Sequence, residues 1–203
     1  MKKRTFEMIF GLVLASSCFF EVQSIFAEEA YQSALFAGGC FWCMQESFDK
    51  VEGVVRTTVG YSGGQIVNPT YEVVSKGKTN HLEAVLVVFN PTIIDFVTLL
   101  KEFWRNVDPT DSEGQFCDRG RQYRSAIFFS DPTEEAEARK SVKQMVVDYF
   151  PDKGVSTLLL PYVNFYAAED YHQNYYKKNP YKYKYYKYRC GRVKRLEELD
   201  LLH

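Results

Sequence analysis

The sequence predicts an α+β domain: a two-layer sandwich with a mixed central sheet. Three observations carry this expectation. Short β-prone runs alternate with stretches of helical periodicity, yet clean β-α-β units are few. No internal repeat and no linker divides the chain. Its 203 residues suffice for one core, and a content of 46% hydrophobic and 25% charged residues is that of an ordinary globular domain.

The elements follow in order. Ser33–Ala37 is a β-prone run leading into Gly38-Gly39. Cys40–Val51 suits a helix, with Phe41, Met44, Phe48 and Val51 on one apolar face. Val54–Tyr61 reads as a strand ending at the turn Ser62-Gly63-Gly64. Asn68-Pro69-Thr70 marks a loop, and His81–Phe89 a buried strand. Thr92–Val107 has helical periodicity, with Thr92 or Asn90 as cap. Asp108–Gln122 is polar and reads as a long loop, a kind of segment that usually carries function. Ser125–Phe129 is a strand, Pro132–Tyr149 a helix with Pro132 in its first turn, and Val155–Pro161 another strand. Helices at Ala167–Lys178 and Arg192–Leu202 complete the chain.

The N-terminus has a different character. Lys2, Lys3 and Arg4 precede an apolar run, Met8–Phe20, and small residues follow up to Ala27. This is the order of a secretory signal peptide, so residues 1–27 are read as a leader and 28–203 as one domain. The protein is then exported, periplasmic or secreted; an uncleaved membrane anchor is the alternative. Removing the leader leaves 22 basic and 24 acidic side chains. Such a balance gives no reason to expect nucleic acid or an anionic membrane as partner.

Four cysteines remain: Cys40, Cys43, Cys117 and Cys190. Cys40 and Cys43 open the first helix, where the helix dipole favours thiolate at Cys40. Phe41 and Trp42 set an apolar wall beside that sulfur. Glu83 interrupts an apolar strand; if buried, its carboxyl stays protonated near neutral pH and can donate a proton. Asp118 to Arg124 packs an acid, bases and Tyr123 into the long loop, and Tyr71 follows the Gly-rich turn. A four-cysteine zinc site is disfavoured, because Cys117 and Cys190 lack paired spacing. The run Tyr181–Arg189 alternates tyrosine with base. It reads as a surface segment with rings inward and lysines wet, rather than a nucleic-acid platform. His172 reads as structural.

In chain order, the segments Gly39-Cys40-Phe41-Trp42, Gly60-Tyr61-Ser62-Gly63-Gly64, Asn68-Pro69-Thr70-Tyr71, His81-Leu82-Glu83-Ala84-Val85, Asp108-Pro109-Thr110, Gln122-Tyr123-Arg124-Ser125 and Ala168-Glu169-Asp170-Tyr171-His172-Gln173 resemble the peptide methionine-(S)-sulfoxide reductases, the A class. The resemblance runs from about Leu35 to the terminal helix and implies a ferredoxin-like core. It implies that Cys40 attacks the sulfoxide sulfur, that Phe41 and Trp42 hold the substrate methyl group, and that Glu83, Tyr71 and Tyr123 bind and protonate the oxygen, with Asp118 in support. Oxidised proteins and free methionine sulfoxide are the implied substrates, for repair of oxidative damage. No metal or other cofactor is implied; electrons come from a thioredoxin-like dithiol, and the protein is expected to be a monomer.

The chain departs from the best-known members, which have Gly at the position of Cys43, Glu at that of Gln45, and a resolving cysteine in a Gly-rich tail. Cys43 and Cys190 therefore stand level as candidates to resolve a Cys40 sulfenic acid, ahead of Cys117 or an external thiol. A general thiol–disulfide oxidoreductase using Cys40-Cys43 directly is the runner-up.

Overall fold

The structure is a computed structural model and describes residues 31–201; the predicted leader lies outside the described residues. Its strands are β1 (Gln32–Gly38), β2 (Val54–Ser62), β3 (Leu82–Phe89), the two-residue β4 (Gly114–Gln115) and β5 (Asp118–Arg119), β6 (Ser125–Phe129), β7 (Leu158–Pro161) and β8 (Tyr166–Ala167). Its helices are α1 (Phe41–Phe48), α2 (Tyr71–Ser75), α3 (Phe96–Trp104), α4 (Pro132–Asp148), α5 (Tyr175–Lys178), α6 (Pro180–Arg189) and α7 (Arg192–Glu198).

The main sheet runs β7-β6-β1-β3-β2-β8. Only β6 and β7 pair in parallel; the other neighbours are antiparallel, so the sheet is mixed. Its centre, β6-β1-β3-β2, is built from two split β-α-β units, β1-α1-β2 around β3 and β3-α3-β6 around β1. That is the ferredoxin-like arrangement.

Strand alternation assigns the faces of the sheet. Ala34 and Phe36 join Phe48, Leu100 and Phe103 under the helices, whereas Leu35 and Ala37 join Phe128 and Leu82 on the other face. Phe36 stacks on Phe48 and Phe103 at centroid separations of 5.0 and 5.5 Å, tying α1 and α3 to β1.

Several boundaries differ from expectation for identifiable reasons. The helix expected over Thr92–Val107 begins at Phe96, because the Asp95 carboxylate caps it by accepting from Thr98 N at 2.7 Å. Asn90 instead closes a turn ahead of it, accepting from Thr92 N and Oγ1. The helix expected over Ala167–Lys178 shrinks to Tyr175–Lys178. Ala167 is taken into the sheet opposite Gly60, and the Gln173 amide bonds both backbone groups of Val59. Tertiary pairing overrides helix propensity there. Tyr181–Arg189 folds as a helix, and a 3.6-residue period cannot place alternate residues on one side. Tyr183 is buried and Tyr186 half-buried, but Tyr181, Tyr185 and Tyr188 stand in solvent, so the rings do not all face inward.

Among the described residues no helix is long and apolar enough to cross a membrane.

Candidate active site

The site forms where β1 turns into α1. Gly39 makes the turn at φ +78°, and a Cβ there would sit 2.6 Å from Gln115 Cβ. Gln115 pins the long loop from within, bonding both Asp108 N (2.7 Å) and Asp108 O (2.8 Å). The loop that reads as polar and open in the sequence is therefore braced at its base, and it delivers Asp118 and Tyr123 to the site.

Cys40 is the N-cap of α1 and is 6% exposed. Glu83, 2% exposed on β3, accepts a hydrogen bond from Phe41 N at 3.1 Å. The acid thus lies at the helix start beside Cys40 rather than facing water. Burial pushes its pKa up to about 8; the Phe41 N–H pulls the other way, and Asp118 adds to the rise. Glu83 is a neutral acid at pH 7.

Tyr71 and Tyr123 are half-buried and share the site's electrostatics. Burial and the Glu83 charge push Tyr71 up to about 12, partly offset by the Tyr123 hydroxyl. Burial and Glu83 likewise push Tyr123 far up. Both hydroxyls remain proton donors across the working pH range. Tyr71 is placed by Glu169, whose carboxylate accepts from Tyr71 N and from the Tyr61 hydroxyl, both at 2.8 Å. Asp118 accepts a short hydrogen bond from the Tyr186 hydroxyl; burial raises its pKa, while Tyr186 and Arg192 oppose the rise.

Cys40 and Cys43 are both buried and both free, and each strongly shifts the other, so they titrate as a pair. Burial and the Cys43 neighbour push Cys40 up. The hydrogen bond from Cys40 brings Cys43 down to about 6 against the opposing effect of burial, helped by Arg192, Tyr183 and Lys187. Cations face Cys43, and carboxyls (Glu83, Asp118) face Cys40. The surroundings of the pair thus favour a thiolate on Cys43 more than on Cys40. Burial and the carboxyls beside Cys40 act against the helix dipole expected to favour its thiolate.

Phe41 is buried, and Trp42 is half-exposed at the surface of the site. The indole is held on three sides. Its Nε1–H donates to His172 Nδ1 at 3.1 Å, Tyr175 stacks on it at 3.8 Å, and Tyr186 meets it edge-on at 6.0 Å. The bond to Nδ1 puts the His172 proton on Nε2. Burial lowers the His172 pKa to about 4, so the ring stays neutral.

The other two cysteines are bonded to each other. Cys117 and Cys190 form a disulfide with Cα atoms 4.8 Å apart. Cys117 is exposed, and Cys190 Sγ lies 4.0 Å from Asp118 Oδ2. Cys117, Asp118 and Cys190 gather their ligand atoms within 4.8 Å, but two sulfurs joined to each other are not thiolate ligands for a metal. The bond also sets Cys190 apart from Cys43, which alone of the two faces Cys40 as a free thiol. Tyr186, Tyr175 and Glu169 did not stand out in the sequence. Helical spacing of Tyr183 and Tyr186 in the Tyr-Lys run was the available signal.

Comparisons with known proteins agree with this geometry. The family model "Peptide methionine sulfoxide reductase" matches residues 32–200. The chain is similar to the enzyme MsrA of Ligilactobacillus salivarius, 48% identical over 71% of this chain and 84% of that one. It is also similar to MsrA/MsrB of Vibrio cholerae, 44% identical over 83% of this chain, although it spans only 45% of that longer relative. Among solved structures it resembles methionine sulfoxide reductase A of Corynebacterium diphtheriae, with a TM-score of 0.72 and 35% identity over 76% of this chain and 77% of that one. It resembles reduced Mxr1 of Saccharomyces cerevisiae with a TM-score of 0.70 and 33% identity over 74% and 87% of the two chains. Mxr1 has also been solved in complex with Trx2. Matched by the family model over nearly all its described length and 48% identical to a curated MsrA, the chain belongs to the peptide methionine sulfoxide reductase family, MsrA class, and is an oxidoreductase.

Proposed function

We propose that this chain reduces methionine S-sulfoxide, free and within proteins, to methionine, with Cys40 as nucleophile and Cys43 as the resolving thiol. The observation that carries the reading is the buried Glu83 carboxyl held against the helix start that Cys40 caps, its pKa pushed up to about 8 by burial. A sulfoxide oxygen leaves only when protonated, and a nucleophile needs an acid within reach to drive the attack.

The substrate methyl group sits against Phe41 and Trp42, and its oxygen faces Glu83, Tyr71 and Tyr123. Cys40 gives up its proton to the neighbouring Cys43 thiolate and attacks the sulfoxide sulfur, while Glu83 protonates the oxygen. The oxygen moves to Cys40 as a sulfenic acid, and methionine departs with the electron pair restored to its sulfur. Cys43 then condenses with the sulfenic acid, forming the Cys40–Cys43 disulfide and releasing water. A dithiol supplies two electrons to reopen that disulfide. A thioredoxin-like protein is the reductant by analogy with the Mxr1–Trx2 complex, and no other cofactor is needed.

We place the protein outside the cytoplasm, as a monomer, after removal of residues 1–27. The leader-like N-terminus supports export, and so does an exposed disulfide of the kind that persists in oxidising compartments. N-terminal sequencing of secreted protein checks this reading: a start near Glu28 supports it, and an intact Met1 contradicts it.

Turnover of the separate S and R epimers with dithiothreitol tests the activity. The S epimer is expected to be consumed; turnover of neither, or of R alone, would overturn the assignment.

A further inference from the structure

Arg192 is 3% exposed, and a guanidinium keeps its charge in any protein environment. Among the described residues it has no carboxylate within ion-pair distance. Its Nη2 donates to Gly38 O at 2.9 Å and its Nη1 to Asn106 O, with Met44 Sδ 3.8 Å away. The Phe116 ring lies 4.3 Å beneath it. Carbonyls, a thioether and a ring supply only partial charge. A buried cation of this kind is costly unless an anion faces it.

Its contacts bracket the redox pair. Gly38 precedes Cys40 by two residues, and Met44 follows Cys43 by one. Phe116 precedes Cys117, and Arg192 itself follows Cys190 by two. The guanidinium thus touches the segment carrying the thiols and the loop carrying one end of the disulfide.

We propose that Arg192 is a positioning residue for the redox pair: it holds the turn ahead of Cys40 through the Gly38 carbonyl and sets a buried positive charge against the segment that carries both thiols. The inference rests on the reading of Cys40 and Cys43 as the reacting thiols. Other charged or titratable groups facing the pair are Tyr71 on α2, Glu83 on β3, Asp118 on β5, Tyr123 in the long loop, and Tyr183, Tyr186 and Lys187 on α6. Lys187 is also paired with Glu46 at 2.6 Å, whereas Arg192 makes no ion pair among the described residues and acts at longer range on both Asp118 and Cys43. Arg192 lowers the Cys43 pKa, in agreement with this role.

The test is the pH dependence of iodoacetamide alkylation at Cys40 and Cys43, read by peptide mass spectrometry on the full chain with Cys117–Cys190 intact. Wild type is compared with Arg192→Met, Arg192→Gln and Arg192→Lys. Losing the charge should raise the alkylation midpoint by about one pH unit, which slows alkylation about tenfold at pH 5, below the midpoint, and about twofold at pH 7. Arg192→Gln keeps a donor for the Gly38 carbonyl without the charge, and it carries the test if Arg192→Met does not fold. Arg192→Lys, charged but unable to fork, should keep the midpoint near that of wild type while lowering kcat. Neutral variants with the wild-type midpoint would overturn the proposal. Alkylation needs no sulfoxide, so a failure of the assigned activity would show separately, as absent turnover in wild type.

Discussion

Two cysteine pairs lie side by side in this protein, and they are opposites. Cys40 and Cys43 are buried, reduced and surrounded by titrating groups. Cys117 and Cys190 are bonded, at the surface, and 73 residues apart in sequence. The first pair has a neutral acid, an aromatic wall and a cation within its surroundings; the second has Asp118 and the Tyr186 hydroxyl near Cys190. Proximity between cysteines is therefore not what marks a reacting pair. The mark is a set of neighbours that push two titrations apart, so that one group holds a proton where another must lose one.

The largest expected break in this contrast is Cys40→Ser, which should abolish sulfoxide turnover. Cys117→Ser and Cys190→Ser should leave the first turnover unchanged in a rapid-quench measurement of methionine formed. Equal loss in all three would erase the distinction between the pairs.

Glu83→Gln comes next. Removing the proton donor should lower kcat/KM by about 10²–10⁴-fold. The sign of its pH dependence is fixed: Glu83 acts while protonated, so wild-type activity should fall as pH rises through about 8. The rising side, near pH 6, belongs to the thiol pair. A falling limb near 8 that survives in Glu83→Gln would assign that limb to another group.

His172→Ala removes the acceptor for the Trp42 indole. The indole then loses the bond that fixes its orientation at a part-buried position, so kcat/KM should fall by about 10-fold or less, chiefly through KM. His172 is neutral above pH 4, and the substitution should leave the pH profile unmoved.

For the surface pair the expected effect is on stability. Cys117→Ser with Cys190→Ser should lower unfolding free energy by about 2–4 kcal/mol in denaturant titration. Smallest of all, Tyr181→Ala should change stability by less than about 0.5 kcal/mol, because that ring is exposed.

Much of the fold was legible in the sequence because strand periodicity and turn glycines are local signals. Ser125–Phe129 and the start of the helix at Pro132 stand where they were read. The segment from Ala167 to Gln173 was not legible, because Glu169 and Gln173 are satisfied by residues about a hundred positions away. At the site, Cys40, Glu83, Tyr71, Tyr123 and Asp118 do converge. A single acid in an apolar strand and a helix-start cysteine are readable features. The protonation of the thiol pair was not readable, since Lys187 and Arg192 reach Cys43 only through the packing of the C-terminal helices. Nor was the Cys117–Cys190 bond, because sequence spacing does not show which sulfurs meet.

The most direct test is the identity of the first disulfide. Fully reduced protein, with all four thiols free, is mixed with less than one equivalent of methionine S-sulfoxide, acid-quenched at the earliest times and mapped by mass spectrometry. The account predicts Cys40 joined to Cys43 while Cys117 and Cys190 remain thiols; a first bond from Cys40 to Cys190 or Cys117 would contradict it.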